Sequence, residues 1–301
     1  MNIIAHQLGG SGNEELHDEP GFGFVREALV DGTPVRAFAA RAEAWEAEIV
    51  VGVALHNQGD ALPACLASIL AQRCARRIGI LILDDASTDD WAAMASPWLE
   101  HPGVAVVRSD CGTAARTRNR ILDLTDELFP RARWAARLDA DDRFTDPCSL
   151  AAACALAEGR GATYVVGGNR LRRDGALLRR TNAASERLRE PGYVVDLLGR
   201  MAEGNAENEL CSCNLVLARG SGLRYPDVAS AEDHWLVADL LLNHPHAGAI
   251  LPSPFYCDYT LGGCVTRARQ RTDDYLRSRR ALHHAARRWA GIACGQEAAC
   301  F

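Results

Sequence analysis

The chain has 301 residues, 48% of them hydrophobic and 24% charged, which are ordinary values for a globular protein with a substantial buried core. A formal net charge of -6 argues against a general nucleic-acid binder, which would show a basic excess. No run approaches the roughly 18 apolar residues of a membrane span, and Met1–Gly10 lacks the basic start and long apolar stretch of a leader, so a cytoplasmic protein without a transmembrane segment is expected.

Residues 1–47 read as an N-terminal extension. Gly9–Asn13 is Gly-rich, but no strand leads into it and no clear helix follows, so it reads as a lead-in and not as a phosphate loop. GFGFVREALVDGTPVRAFAAR carries an Asp31-Gly32 turn signal and predicts a small hairpin against the main body. From Glu48 the pattern becomes regular. EIVVGVAL (Glu48–Leu55) suits a strand covered on both faces. Leu62, Cys65, Leu66, Ile69 and Leu70 then recur at helical spacing. IGILIL (Ile78–Leu83) is a second buried strand, ended by Asp84-Asp85, and Ser87 or Thr88 is placed to cap a helix running to Leu99. A third strand is expected at Gly103–Arg108, a helix at Gly112–Leu128 and a fourth strand at Arg133–Leu138.

Four alternations of strand and helix with short connections predict an α/β fold with a mostly parallel sheet flanked by helices. In such sheets ligands bind beyond the carboxyl ends of the strands, and Asn57, Asp84-Asp85 and Asp139–Asp142 all follow strand ends. After a helix at Cys148–Glu158 the rhythm breaks. Ala162–Arg180 predicts two strands joined at Asp174-Gly175, Leu210–Ala218 a further strand, Ala231–Leu242 a helix and Asp273–Ile292 an Arg-rich amphipathic helix. All 33 Lys-or-Arg positions are arginine; the clusters at Arg170–Arg189 and Arg267–Arg288 read as solvated helix faces, or as a basic segment closing over an anionic ligand. Eleven cysteines, without a short repeating spacing, read as small core residues in a reduced protein. Cys211-Ser-Cys213 lacks a second close pair to complete a zinc site.

In WAARLDADDRF (Trp134–Phe144) three aspartates follow an apolar run that contains one arginine. Asp139 and Asp141, two apart in an extended turn, can aim at one hard cation such as Mg2+ or Mn2+. An Asp-rich turn before a helix starting at Pro147, with Asp146 as its cap, accounts for the same residues.

The surrounding motifs bear on that choice. VVGVALHNQGDALPACLASILAQ, ILILDDASTDD, GTAARTRNRIL, RLDADDRF and SAEDHWL follow one another between Ile49 and Leu242, and in this order they resemble the motifs of the family 2 glycosyltransferases. The resemblance implies a GT-A fold: a Rossmann-like, mostly parallel sheet flanked by helices, with a small mixed β part in the second half and a C-terminal helical tail. It divides the chain into a domain at 48–265, with a nucleotide-binding half (48–145) and an acceptor-binding half (146–265), and an Arg-rich tail at 266–301. The activity implied is inverting, metal-dependent transfer of a sugar from a nucleotide-sugar, most simply a UDP-sugar, to an acceptor hydroxyl.

By this resemblance Asp141 holds Mn2+ or Mg2+, with Asp139 as its companion towards the metal or the donor sugar of the nucleotide-sugar. Asp85 accepts a hydrogen bond from the nucleotide base with Asp84 in support, while His56 and Asn57 line the base pocket. Arg116 and Arg118 contact the diphosphate, or Arg118 fixes Asp139; Ala140 lies between the metal-site acids and borders the donor. Asp233 is the general base beside Glu232, since an in-line attack needs a carboxylate to take the acceptor proton. Glu232 and Asp233 are equally suited to the first turn of a helix by its dipole, and His234 reads as a surface residue ahead of a third metal ligand. Asp142 reads as structural.

The chain departs from the family pattern in places. Ala54-Leu55-His56-Asn57 stands where Pro-Thr-Tyr-Asn is common, and Gly112–Arg118 is one residue longer than usual. Tyr259–Thr266 resembles a segment that closes over the donor, with Cys264 in place of a serine. A sugar nucleotidyltransferase shares the acidic metal site but calls for a Gly-rich basic loop after the first strand, which VALHNQGD does not supply. A catalytically silent nucleotide-binding protein of the same fold is expected to lack acids that this chain keeps. The acceptor class, whether small molecule, glycan, lipid-linked or peptide, is not written in these motifs, and neither is the oligomeric state.

Overall fold

The computed structural model describes residues 23–204, 209–261 and 273–292. The chain opens with a hairpin of β1 (Phe24–Val30) and β2 (Thr33–Ala39), turned at Asp31 and Gly32, whose positive φ angles of 51° and 73° match the two central residues of a tight hairpin turn. Four parallel strands follow: β3 (Ile49–Leu55), β4 (Ile78–Asp85), β5 (Val104–Ser109) and β6 (Trp134–Asp139). Between them run α1 (Leu62–Leu70), α2 (Trp91–Leu99) and α3 (Ala114–Leu128). The short strand β7 (Arg143–Phe144) and α4 (Ser149–Arg160) come next.

Alternation along β3 and β4 sends successive side chains to opposite faces of the sheet. Val51, Val53, Ile80 and Ile82 pack with Leu62, Leu66, Ile69 and Leu99 on one face. Val50, Leu81 and Leu83 pack with Ile121, Leu124, Phe129 and Trp45 on the other. Both faces are covered, which is why these strands read as unbroken apolar runs. Gly52 makes close cover possible: a Cβ there would lie 2.2 Å from Ile121 Cγ2. Thr113 caps α3, its hydroxyl accepting from the Arg116 amide at 3.3 Å.

The second half adds β8 (Tyr164–Gly167), β9 (Asn169–Arg173), β10 (Ala176–Asn182), α5 (Pro191–Ala202), β11 (Leu215–Ala218), α6 (Glu232–Asn243), β12 (Gly248–Leu251), β13 (Cys257–Thr260) and α7 (Asp273–Trp289). The main sheet has nine strands in the order β1-β2-β5-β4-β3-β6-β11-β8-β12, and a second sheet of four runs β10-β9-β13-β7. The expected mostly parallel sheet flanked by helices is present, with antiparallel pairings at β1–β2, β2–β5, β6–β11 and β11–β8.

Several local expectations are corrected. Ala162–Arg180 folds as three strands, because β8 joins the main sheet while β9 and β10 start the second one. Only Leu215–Ala218 of the expected Leu210–Ala218 strand is regular. The preceding residues bond sideways instead, Cys211 Sγ to the Asn182 carbonyl at 3.2 Å and Asn214 Nδ2 to the Gly167 carbonyl at 2.8 Å. Neither Ser87 nor Thr88 caps α2, whose capping position is Asp90 without a side-chain bond; the Ser87 hydroxyl accepts from the Asn57 amide at 3.0 Å. Most arginines of Arg170–Arg189 lie on strands, and only Arg187 and Arg189 fall in a single short 3-10 turn. Arg170 and Arg172 lie on β9 and pair with Asp258 at 2.6 and 3.4 Å, and Arg189 pairs with Glu186 at 2.6 Å.

Five of the eight described cysteines are buried and all eight are free. Cys213 and Cys257 both donate to Asn214 Oδ1, at 2.6 and 3.0 Å. No helix among the described residues is long and apolar enough to cross a membrane. Gly9–Asn13, Gly262–Thr266 and Arg267, Arg269 and Arg271 lie outside the described residues.

Candidate active site

Register sets Leu55 of β3 opposite Asp84 of β4 and Ala54 opposite Asp139 of β6, so the loops that follow leave the sheet along one rim. Over this rim lies a cavity of about 730 Å³, within the range of ligand pockets, walled also by the start of α6 and part of α7. His56, Asp85, Arg118, Asp139, Asp141, Glu232 and Asp233 line it. Asn57, Asp84, Arg116 and Ala140 are not among its lining residues.

Those four have other partners or are enclosed. Asn57, with φ of 51°, accepts through Oδ1 from the Thr88 amide at 2.7 Å, the Thr88 hydroxyl at 3.2 Å and the Asp89 amide at 3.2 Å, tying two rim loops together. Asp84 is fully buried and accepts from the Ser87 amide at 2.9 Å and Trp91 Nε1 at 3.2 Å. Burial pushes its carboxyl up, against the opposing pull of these bonds and of Arg108. Arg116 is exposed and pairs with Asp227 at 2.7 Å; Ala140 is fully buried.

Asp85 reaches the cavity with its carboxylate already engaged: Oδ1 accepts from the Cys111 and Gly112 amides at 2.5 and 3.3 Å, and Oδ2 from the Thr117 hydroxyl at 2.7 Å. Any further hydrogen-bond donor reaching Asp85 from the cavity must share these oxygens. His56 donates through Nδ1 to the Asp85 carbonyl at 2.6 Å, and its Nε2 accepts from Asn57 Nδ2 at 3.2 Å.

The centre of the site is a group of carboxylates held by two buried arginines. Arg137, in β6, forms a two-pronged pair with Asp139, Nε to Oδ1 at 3.0 Å and a terminal nitrogen to Oδ2 at 2.7 Å. It also donates to the Ser212 carbonyl at 3.1 Å and lies 3.5 Å from Asp233 Oδ2. Arg118, in α3, pairs with Asp139 Oδ2 at 3.1 Å and with Glu232. Both guanidinium carbons lie 5.8 Å from the centre of the Tyr225 ring. Asn119 fixes that residue through two 2.8 Å bonds to its main chain.

Burial alone would push the Asp139 carboxyl up, but Arg118 and Arg137 outweigh it and hold it below the usual carboxylate range. Burial would likewise raise Asp233, yet the His234 ring, with Arg137 and Arg118, holds it well below that range. His234 donates through Nδ1 to Asp233 Oδ1 at 2.9 Å and is only 8% exposed, so it is not the surface residue its position suggested. Ser212 donates its hydroxyl to Asp233 Oδ2 at 3.1 Å.

Asp141 is different. Its side chain has no cationic partner among the described residues, and burial together with the Asp139 charge pushes its carboxyl up to about 6. A half-buried acid in that state suits a divalent cation, so the residues fit a metal at Asp141. Asp139, with both oxygens on guanidiniums, is less free to be a ligand. Asp142 is fully buried and accepts from the Thr260 amide at 2.7 Å; burial and Asp141 push its carboxyl well up, and Oδ2 has no partner among the described residues. Asp146 turns away and accepts from the Cys148 amide at 2.7 Å, just ahead of α4.

Residues that sequence reasoning did not assign to the site include Arg137, Ser212 and Arg279. Arg137 carried a signal, as the lone charge in an apolar strand. Ser212 and Arg279 carried none, because only the fold brings them to the cavity.

A Rossmann-like sheet with an acidic rim at its strand ends, joined by a small mixed sheet, defines the GT-A class of nucleotide-sugar enzymes. Solved structures share this fold at low identity. S. aureus TarS 1-349 in complex with UDP matches with a TM-score of 0.55 and 14% identity, covering 79% of this chain and 65% of that one. The mannosyltransferase PcManGT from Pyrobaculum calidifontis, in complex with GDP-Man and Mn2+, matches at 0.51 with 17% identity over 82% of this chain and 73% of that one. Glucosyl-3-phosphoglycerate synthase from Mycobacterium tuberculosis, with Mn2+, UDP and phosphoglyceric acid, matches at 0.50 with 17% identity over 82% and 80%. The chain thus spans less than two thirds of the TarS chain. No curated protein sequence matches. The family model described as Glycosyl transferase family 2 matches residues 50–206, and the chain belongs to that family.

Proposed function

We propose that the chain is an inverting, metal-dependent glycosyltransferase that moves a sugar from a nucleotide-sugar, most simply a UDP-sugar, to an acceptor hydroxyl. The observation that carries this reading is one cavity bordered both by Asp141, an acid without a cationic partner among the described residues, and by Asp233, an acid held ionised. Nucleotide complexes of the fold relatives, two of them with Mn2+, support the same donor class.

A divalent cation at Asp141 would supply Lewis-acid stabilisation of the charge that builds on the leaving diphosphate. The chain's own residues do the rest. Asp139 holds Arg137 and Arg118 in place, and the His234 ring together with these arginines keeps Asp233 unprotonated. The Ser212 hydroxyl and His234 ring fix the orientation of that carboxylate, so one oxygen can take the acceptor proton. The proton passes to this carboxylate as the acceptor oxygen forms its new bond to the anomeric carbon. A single in-line displacement inverts the configuration.

The test is transfer and donor hydrolysis across UDP- and GDP-sugars with Mn2+, on wild type and Asp233→Asn. The variant is expected to keep UDP binding and to lose turnover by about 10²-fold or more, the usual worth of a general base. Undiminished turnover removes Asp233 from this role. Nucleotide binding with no hydrolysis or transfer of any donor by wild type favours a silent protein. Formation of nucleotide-sugar from sugar 1-phosphate and nucleoside triphosphate favours a nucleotidyltransferase.

A further inference from the structure

Arg279 of α7 is 7% exposed and borders the same cavity. Its guanidinium carbon lies 3.5 Å from the centre of the Tyr275 ring, and one terminal nitrogen donates to the Tyr275 carbonyl at 3.3 Å. Arg118 and Arg137, in the same cavity, are each tied to two carboxylates. Arg279 has no carboxylate partner among the described residues. A guanidinium withdrawn from water without a counter-ion is costly. Held over an aromatic ring, it is also positioned to take a carboxylate or phosphate through its fork. Of the other acids that line the cavity, Glu209 is paired with Arg180 at 3.4 Å, and Asp174 is exposed at the β9–β10 turn.

Position decides which anion it serves. Ser278, the preceding residue, donates its hydroxyl to the carbonyl of Ser230, two residues before Glu232 and three before Asp233. This ties the Arg279 segment to the end of α6 that carries the general base. In an inverting displacement the base and the leaving diphosphate stand on opposite faces of the anomeric carbon, so a cation at the base's end meets the acceptor. We infer that Arg279 is the anion-binding residue of the acceptor subsite, and that the acceptor carries a carboxylate or phosphate close to the hydroxyl it presents. The inference rests on the glycosyltransferase reading.

The test is calorimetric titration of sulfate, and separately of acetate, into the full chain saturated with UDP and Mg2+, so that the donor's phosphate positions are filled. Wild type is expected to bind one of them, sulfate marking a phosphorylated acceptor and acetate a carboxylated one. Arg279→Met is expected to weaken that binding at least about tenfold, with partial retention in Arg279→Lys, as for loss of one charge-assisted fork. UDP affinity should stay unchanged in both variants. Equal anion binding by wild type and Arg279→Met, or no binding of either anion by wild type, overturns the inference. A matching loss of UDP affinity in a variant with an unchanged unfolding transition also overturns it, because Arg279 then serves the donor. If wild type fails to bind UDP, the glycosyltransferase reading falls instead. The same titrations on nucleotide-free protein then decide whether Arg279 binds an anion.

Discussion

Replacing Asp141 by asparagine should stabilise the metal-free protein while abolishing its response to metal. Burial and the neighbouring Asp139 charge push the Asp141 carboxyl from 3.8 to about 6. Each unit is worth 1.36 kcal/mol, so the ionised carboxylate costs the folded state about 3 kcal/mol at neutral pH. The sign follows from the raised value: the folded carboxyl binds its proton more tightly than the unfolded one. The penalty is therefore complete above pH about 6 and fades as pH falls towards 3.8. An asparagine side chain carries no charge, so in EDTA at pH 7.5 Asp141→Asn should unfold several degrees higher than wild type, at about 2 °C per kcal/mol for a chain of this size. Near pH 4 the difference should vanish. Mn2+ relieves the same penalty and should raise the wild-type midpoint but not that of the variant. The assay is thermal unfolding followed by circular dichroism at both pH values, with and without Mn2+. Equal midpoints in EDTA at pH 7.5 would refute the stored-charge argument, and equal stabilisation of both proteins by Mn2+ would remove Asp141 as the ligand.

Two further outcomes test the frame around the site. Arg137→Met leaves Asp139 with one cation and withdraws the contact to Asp233, and should cost about 3 kcal/mol in denaturant unfolding, as for a broken buried pair. Arg137→Lys keeps the charge but not the fork, so it should recover part of the stability and little of the turnover. Gly248→Ala puts a Cβ 2.0 Å from Tyr164 Cζ, on a ring pinned by hydrogen bonds to the Leu240 and His244 carbonyls at 2.8 and 3.1 Å. It should destabilise by about 1–3 kcal/mol with UDP affinity unchanged, and a neutral result would mean that β12 can shift.

The first half of the fold was legible because β3, β4, β5 and β6 are covered on both faces and read as separate apolar runs with helices between them. In the second half the helices α6 and α7 and the turn between β9 and β10 were legible, but most of the strands were not. β8, β11, β12 and β13 have four residues each, too few to show a period, and β11 enters the main sheet between β6 and β8 by a pairing that no local pattern encodes. At the site, spacing carried some information. Residues two apart in a strand share a side, so the fork between Arg137 and Asp139 was implicit in ARLDA. Arg118 and Glu232 stand 114 positions apart, and only the fold brings them into contact.

That long-range pairing changes what the aspartates of RLDADDRF do. Read as a string, Asp139 and Asp141 are equivalent ends of a metal-binding pair. In the folded chain two arginines neutralise Asp139, and the same two arginines, after the His234 ring, help keep Asp233 ionised, so Asp139 anchors the proposed base as much as it borders the proposed metal position. Asp142 is buried against the Thr260 amide, and burial together with Asp141 pushes its carboxyl well up. Of the three, Asp141 alone keeps a half-buried carboxylate without an ion-pair partner among the described residues. The separation of roles follows from where the arginines fall, not from the acids themselves, and it makes Asp141 the one position in the motif where a cation should lower the energy of the folded protein.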